Sequence, residues 1–125
     1  MVKLGDFGKE RKKITFKQWK ELKGIPEKEE VYTIKMIFPP KQYPSYTLIF
    51  DDGDFEVRLS LKAETFKSAA TALGFTIGKR NLPSLIIKIN KNEYGIDVNT
   101  NIMNVLEWKG SYWKLNQTND DTIEF

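Results

Sequence analysis

Alternating apolar and polar residues predict that most of this chain forms short β-strands. The alternation is clearest at 55–61, where apolar residues occupy every second position between Glu56, Arg58 and Ser60, which is the period of a strand with one buried face. Similar segments lie between clusters of glycine, proline, asparagine and aspartate, which bound strands. The predicted strands cover 31–38, 46–50, 55–61, 85–90, 94–99 and 102–108, and Tyr112, Trp113 and Leu115 are expected to close the fold.

Two segments switch to the spacing of a helix. Thr15 is suited to cap a short helix that ends near Leu22, ahead of Gly24. A threonine side chain can accept a hydrogen bond from the first helical turn, and glycine readily leaves the helical conformation. Residues 60–73 repeat apolar side chains every three or four positions before Gly74, which predicts a second helix.

The predicted order is three strands, one helix, and then two or three strands. This order is typical of a mainly β, OB-fold-like Greek-key barrel of five to six strands, with one helix between strands 3 and 4 and a short N-terminal helix. A sandwich or an open sheet with one packed helix has the same order. We expect one binding domain over residues 1–115, with a basic arm at 1–13, followed by an acidic tail at 116–125.

The absence of cysteine and histidine excludes several kinds of metal site and catalytic site. The 125 residues include no cysteine and no histidine, which excludes disulfides, imidazole or thiolate zinc sites and histidine-activated nucleophiles. No apolar run reaches the roughly 20 residues that span a bilayer, and the N-terminus lacks the apolar stretch of a signal peptide. The sequence therefore predicts a non-enzymatic protein of the cytoplasm, or of a virus-infected host cytoplasm, with no cofactor and no membrane partner.

The acidic cluster after the second strand is expected to be a hairpin turn and not a metal site. Asp51, Asp52 and Asp54 surround Gly53, a combination typical of tight turns between strands. A calcium loop that starts at Asp52 would need glycine at its sixth position, where this chain has Val57. Hydrolysis by two carboxylates would need a pair of acids facing each other across a cleft, and no spacing in the chain requires one.

The net charge of +3 combines a basic body with an acidic end. Three acids, Asp120, Asp121 and Glu124, follow the last basic residue, Lys114, so the rest of the chain is more basic than the total suggests. A basic body suits a polyanionic partner, although a solvated surface rich in lysine gives the same charge.

Aromatic and basic residues are interleaved along the strands and loops. Single-stranded nucleic acid binds where exposed rings stack on bases and nearby cations hold the phosphates. Phe38, Phe50, Phe55 and Phe66 are instead expected in the core, and outward cations on strands also fit an ordinary solvated sheet face. The nucleic-acid-binding candidates are Lys35, Tyr43, Tyr46, Arg58, Lys79, Arg80, Lys88, Tyr94, Trp108, Lys109, Tyr112 and Trp113.

The helix that ends at Gly74, the connection Gly78-Lys79-Arg80-Asn81-Leu82-Pro83 and the closing hairpin over 85–98 are similar to parts of a known family. The chain resembles the OB-fold single-stranded DNA-binding proteins, particularly the compact phage and archaeal types. Bacterial members end in an acidic tip with a terminal phenylalanine, and this chain ends in Phe125. It departs from them in having Ile-Glu-Phe at the tip instead of Ile-Pro-Phe, and in lacking a tryptophan before Gly78.

The resemblance implies that the protein coats exposed single strands during replication, recombination or repair. Its partner would be single-stranded DNA, with RNA and a dimeric assembly left open. The residues of the tail that would contact a replication or repair protein are Asp120, Asp121, Glu124 and Phe125. The alternative is a protein-interaction or structural module of viral or plasmid type, which predicts a contiguous apolar surface patch in place of a basic groove.

Overall fold

Strands dominate the fold, in agreement with the prediction of a mainly β chain. The computed structural model describes residues 12–24, 28–90, 93–100 and 105–116. The strands within these ranges are β1 (Lys12–Thr15), β2 (Glu30–Phe38), β3 (Ser45–Asp51), β4 (Phe55–Lys62), β5 (Leu82–Pro83), β6 (Leu85–Asn90), β7 (Glu93–Val98), β8 (Val105–Trp108) and β9 (Trp113–Asn116). The helices are α1 (Phe16–Lys23) and α2 (Ala63–Leu73).

The long strand β2 organises the sheet because it pairs with three neighbours. Its first part, residues 30–33, lies antiparallel to β6, and its second part lies between β3 and β9. From β2, one path continues through β3 and β4 to β1, a second through β9 and β8 to β5, and a third through β6 to β7. Among the described residues these paths do not meet, so the sheet is not closed and the predicted barrel is not confirmed.

A β-bulge at Lys35 changes which side chains of β2 point toward the core. The pairing with β3 shifts between Ile34 and Met36, so Lys35 is the extra residue. Strict alternation would place Ile34 and Ile37 on opposite faces, yet both are fully buried. Simple alternation over 31–38 predicts that Ile34, Met36 and Phe38 share one face. This is wrong, because Met36 and Phe38 lie on the face that points away from Ile34 and Ile37.

Both helices pack on the inner face of the sheet. The rings of Phe16 and Trp19 in α1 lie against Phe50 of β3, at centroid distances of 6.5 and 5.6 Å. The ring of Phe66 in α2 lies against Tyr46 of β3 at 4.7 Å. All five side chains are buried, and this burial of apolar surface is the main favourable contribution to folding.

The helix boundaries follow the capping residues. The Thr15 hydroxyl accepts a hydrogen bond from the Gln18 N–H at 3.1 Å, and the Gln18 side chain accepts one from the Thr15 N–H at 3.0 Å, which together form a capping box. Gly24 and Gly74 end the helices at φ angles of 77° and 92°, a region that favours glycine. The short N-terminal helix is thus confirmed to within one residue.

The second helix begins later, and in a different position among the strands, than the sequence predicts. It starts at Ala63 because β4 continues through Lys62. Since β1 precedes α1, this helix follows the fourth strand of the fold and not the third. The predicted basic arm is described only from Lys12, which begins β1, and the tail residues Asp120, Asp121, Glu124 and Phe125 lie outside the described residues.

The predicted hairpin turn between β3 and β4 is confirmed. Asp51 Oδ1 accepts a hydrogen bond from the Gly53 N–H at 2.8 Å, and Asp52 Oδ1 accepts bonds from the Asp54 and Phe55 N–H groups at 2.8 and 2.7 Å. The carboxylates therefore serve the backbone of the turn. No helix within the described ranges is long and apolar enough to cross a membrane.

Candidate nucleic-acid interface

The outer face of the sheet carries rows of side chains that the strand register brings together. Residues directly opposite each other in antiparallel strands point to the same side. Phe38, Thr47 and Ser60 form one such row across β2, β3 and β4. The neighbouring row consists of Lys114, Met36, Ile49 and Arg58. Because neighbouring strands are about 4.8 Å apart, the backbone positions of the two cationic residues at its ends are separated by about 14 Å.

Two adjoining cavities lie over these rows. One has a volume of about 530 Å³ and extends from Phe38 and the β2–β3 loop to Thr47 and Ser60. The other has a volume of about 390 Å³ and extends from Thr47 and Ser60 to Arg58 and the start of α1. Since Thr47 and Ser60 line both cavities, the two adjoin, and we call them together the sheet groove. The residues that line it are Thr15, Phe16, Lys17, Phe38, Pro39, Lys41, Gln42, Tyr43, Ser45, Thr47, Arg58 and Ser60.

The floor of the sheet groove is made of small hydroxyl side chains. Thr47 and Ser60 are directly opposed in the middle of the face, and Ser45 follows on β3. Short side chains at these positions leave the depression open above them, and each hydroxyl can donate or accept a hydrogen bond. A ligand in the groove would therefore approach the backbone of β3 and β4 closely.

Aromatic rings border one end of the sheet groove. Tyr43, in the β2–β3 loop, is 74% exposed. Phe38 is half-buried and stacks on Tyr112, with centroids 5.2 Å apart and an interplanar angle of 17°. The end of the loop next to β3 is fixed, because the Ser45 N–H donates to the Tyr43 carbonyl at 2.7 Å and the Ala63 N–H donates to the Pro44 carbonyl at 2.8 Å. The exposed tyrosine is thus held on an anchored loop.

Tyr112 is positioned by a tight turn between β8 and β9. The Lys109 N–H donates to the Tyr112 carbonyl at 2.8 Å, and Gly110 adopts a φ of 100°. A glycine at the first central position is typical of a two-residue hairpin turn. This turn places the Tyr112 ring against Phe38 at the margin of the groove.

Exposed cations border the other parts of the groove. Lys17, Lys41 and Arg58 have no carboxylate within 4.0 Å among the described residues. Lys35, the predicted cation at the bulge, instead pairs with Asp51 at 3.4 Å. Cations without a protein partner are available to an anionic ligand, because no existing ion pair must be broken when the ligand binds.

The structure buries two of the predicted stacking rings. Tyr46 is 5% and Trp113 is 2% exposed, and their centroids lie 6.4 Å apart within the core. Burial also raises the pKa of Tyr46. The Trp113 indole donates a hydrogen bond to the Arg80 carbonyl at 2.8 Å. Neither ring has a free face on which a base could stack. Both rings therefore belong to the core and not to the binding site.

Two further candidates, Tyr94 and Trp108, do not line the sheet groove. The Tyr94 ring of β7 meets Phe16 edge-on at 5.2 Å. Trp108 is half-buried and its ring lies 4.6 Å from that of Trp113. Each of these rings has part of its surface occupied by a protein neighbour.

The remaining basic candidates are distributed over other surfaces. Lys88 of β6 pairs with Asp97 of β7 at 3.2 Å. The Val98 N–H, which donates to Asp97, and the Lys88 ammonium lower the pKa of Asp97. Lys109 pairs with Glu107 at 3.3 Å. The exposed residues Lys79 and Arg80 lie in the connection from α2 to β5. Of the predicted site residues, the structure therefore brings Tyr43, Arg58, Tyr112 and Lys35 to one face.

Several residues that line the groove were not among the predicted site residues. Lys17 and Lys41 were available as basic residues beside a predicted cap and a predicted loop. Nothing in the local sequence marks Thr47 and Ser60 as binding residues, because their role depends on their being opposite each other in the sheet. Phe38 was assigned to the core, and it reaches the outer face because of the bulge at Lys35.

Exposed apolar side chains are few among the described residues. The large ones are Leu22, Val31, Tyr43 and Tyr94, which belong to four different elements or loops. Comparison of the chain with protein-family models, curated proteins and solved structures finds no significant match.

Proposed function

We propose that this chain is a non-enzymatic domain that binds single-stranded DNA, largely independently of sequence, across the sheet groove. The observation that carries the proposal is the combination within one depression of an exposed ring, Tyr43, and cations at Lys17, Lys41 and Arg58 that pair with no described carboxylate. Rings that stack on bases and cations that hold phosphates are what a single strand requires. The proposed biological role is the protection of exposed single-stranded DNA during replication, recombination or repair.

The connectivity supports an OB-like core. Apart from the two-residue strand β5, which lies between α2 and β6, the strands β2, β3, β4, β6 and β7 follow one another in the chain, with α2 between the third and fourth of them. Because β2 pairs with both β3 and β6, a hairpin lies on each side of one strand, as in a partly open Greek-key barrel. In OB-folds, oligonucleotides bind to the face of strands 2 and 3 and to the loop between strands 1 and 2. The equivalent parts of this chain, the face of β3 and β4 and the β2–β3 loop, line the sheet groove.

The expected energetics are those of stacking and counterion release. A base stacked on Tyr43 would contribute about 1–3 kcal/mol. Each phosphate held by a cation such as Arg58 releases counterions, which makes the affinity fall with salt concentration. Hydroxyls on the floor, from Thr47 and Ser60, can contact a sugar or a base edge without imposing a sequence.

The acidic tail forms a second part of the proposal. We propose that Asp120, Asp121, Glu124 and Phe125 contact a replication or repair protein. An aromatic ring beside several acidic side chains suits a basic pocket on a partner.

The experiment compares two pairs of charge-neutralising substitutions. Lys41→Gln with Arg58→Gln alters the sheet groove, whereas Lys79→Gln with Arg80→Gln removes the same charge from the α2–β5 connection. Binding of a fluorescein-labelled oligo-dT is followed by fluorescence anisotropy at several salt concentrations. In the groove variant, the magnitude of the slope of log affinity against log salt should decrease by about 0.7 for each phosphate that is no longer neutralised. In the other variant the slope should be unchanged.

The label must be on the oligonucleotide because the tryptophans are poorly placed to report binding. Trp19 and Trp113 are buried, and Trp108 packs against Trp113. A protein that shows no salt-sensitive binding would contradict the proposed function. Equal losses in the two double variants would place the binding surface elsewhere. A duplex of the same length should compete weakly, since the groove offers rings to unpaired bases.

A further inference from the structure

A buried carboxylate holds α1 against the sheet. Asp52 Oδ2 accepts a hydrogen bond from the Trp19 indole N–H at 2.7 Å. Its other oxygen accepts bonds from the Asp54 and Phe55 N–H groups of the turn. The Asp52 side chain is only 2% exposed, with the Lys23 ammonium 3.7 Å away. Asp52 therefore joins the β3–β4 turn to the helix through one hydrogen bond to a charged acceptor, a strong type of bond.

The segment that this bond holds is also one wall of the sheet groove. We call residues 12–24, which contain β1 and α1, the N-terminal segment. Thr15, Phe16 and Lys17 line the second cavity together with Arg58. β1 runs parallel to β4, and Thr15 lies opposite Arg58 in their register. A ligand in this part of the groove would contact the N-terminal segment and the sheet at the same time.

The N-terminal segment is expected to be unstable when it is not docked against the sheet. It consists of a strand of four residues and a helix of eight, whereas isolated helices shorter than about 12–15 residues are marginal in water. Its order depends on the pairing of β1 with β4 and on the burial of Ile14, Phe16 and Trp19 in the core. The bond from Trp19 to Asp52 and the ion pair between Lys23 and Asp54, at 2.7 Å, add to this on the side of α1. Local opening of this segment, separate from global unfolding, is therefore the expected low-energy fluctuation.

We propose that Asp52, acting through Trp19, is a positioning residue for the nucleic-acid site. Docking of the N-terminal segment and binding of single-stranded DNA are then mutually dependent. The proposal rests on the proposed function. Single-stranded DNA that contacts Lys17 on α1 and Arg58 on β4 at the same time binds only to the protein in which the N-terminal segment is docked. Each event must then favour the other by the same factor, since linkage between two equilibria is reciprocal.

The test is hydrogen exchange of the α1 amides in the full chain, with and without oligo-dT. At a concentration of 100 times the Kd, a ligand that requires the docked state should slow exchange of these amides by up to about 100-fold. Amides of β3 and β4, which lie outside the N-terminal segment, serve as the internal reference. Slower exchange in β3 and β4 with unchanged exchange in α1 would overturn the coupling while leaving the proposed function intact.

Two tryptophans provide a matched pair of variants. Trp19 and Trp113 are both buried and both donate an indole hydrogen bond, but only Trp19 belongs to the N-terminal segment. Trp19→Phe should speed exchange of the α1 amides by about 10- to 150-fold, the range for removal of a bond to a charged group. Trp113→Phe should leave α1 exchange unchanged. Equal effects of the two substitutions on α1 would overturn the role of Asp52.

A third variant separates positioning from a purely structural role. Lys17 is exposed and has no carboxylate partner among the described residues, so Lys17→Gln should leave α1 exchange unchanged without oligonucleotide. It should reduce the protection that oligo-dT adds, which a structural role of the segment alone does not predict. Absence of any oligo-dT binding in the anisotropy assay refutes the proposed function, and the coupling with it. Binding without added α1 protection refutes the coupling alone.

Discussion

Two tyrosines three residues apart should respond in opposite ways to removal of their rings. Tyr46 is 5% exposed, and its ring lies 4.7 Å from that of Phe66. A buried aromatic side chain removes about 150–250 Å² from water, which at about 25 cal/mol per Å² corresponds to roughly 4–6 kcal/mol. Measured costs of Phe→Ala substitutions in cores are about 3–5 kcal/mol. We expect Tyr46→Ala to lower the free energy of unfolding by an amount in this range.

Tyr43→Ala should have the converse effect. The ring is 74% exposed, and surface substitutions of this kind usually change stability by less than about 0.5 kcal/mol. If a base stacks on Tyr43, removal of the ring should weaken oligo-dT binding by about 1–3 kcal/mol, which is about a 5- to 150-fold increase in Kd. Val31→Ala, which alters another exposed large apolar side chain on β2 and outside the N-terminal segment, is the control for nonspecific effects and should leave the Kd unchanged.

The assays are urea unfolding for stability and fluorescence anisotropy for binding. Since small domains have only about 5–15 kcal/mol of stability, Tyr46→Ala could unfold a substantial fraction of the protein, and Tyr46→Leu then supplies a milder variant. Binding is measured where each variant is folded. A Tyr43→Ala protein that binds oligo-dT as tightly as the wild type would refute stacking at this ring. A Tyr46→Ala protein of unchanged stability would refute its place in the core.

Three further outcomes follow from particular residues. Burial alone would raise the pKa of Asp52, but hydrogen bonds from Phe55, Trp19 and Asp54 and the charge of Lys23 together lower it below its usual value. Its stabilising effect is therefore present above about pH 4 and is lost as the pH falls through its folded pKa, so acid should weaken α1 protection in hydrogen exchange less in Asp52→Asn than in the wild type. Gly110→Ala should lower the stability measured by thermal unfolding by about 1 kcal/mol or more, because φ is 100°, whereas Gly78→Ala, with only the Arg80 Nε at 3.9 Å from the added carbon, should not. Lys88→Gln should leave oligo-dT affinity unchanged in anisotropy titrations, and a reduced salt slope would extend the site to β6.

Local signals in the sequence predicted most elements because each depends on residues close together in the chain. The alternation at 55–61 indicated β4, where Val57 and Leu59 are buried and Arg58 is exposed. The Thr15 cap and the glycine at 24 bounded α1 for the same reason. Strand β1 was missed, since four residues with three polar side chains give no period, and its structure depends on pairing with β4.

Predictions of which side chains are exposed failed where exposure depends on contacts between residues that are far apart in the sequence. Tyr46 has the same parity as Leu48 and Phe50, both buried on β3, so alternation could have placed it in the core. Nearness to a loop suggested exposure instead. Trp113 offered no such signal, because its burial follows from pairing with Ile37 and Trp108 in other strands. The ion pair of Lys88 likewise depends on the register between β6 and β7.

The position of the helices explains why the outer face of the sheet is suited to a ligand. Both α1 and α2 cover the inner face, through Trp19 and Phe66, and no described helix covers the outer face of β3 and β4. A sheet face that is only solvated can carry long polar side chains throughout, yet this one has Thr47 and Ser60 opposed at its centre and long cations at its margins. Small residues in the middle and long charged ones at the edges make a depression in place of a flat surface. That shape suits a narrow, extended anion, and it becomes complete only when Lys17 is held in place by the docked helix.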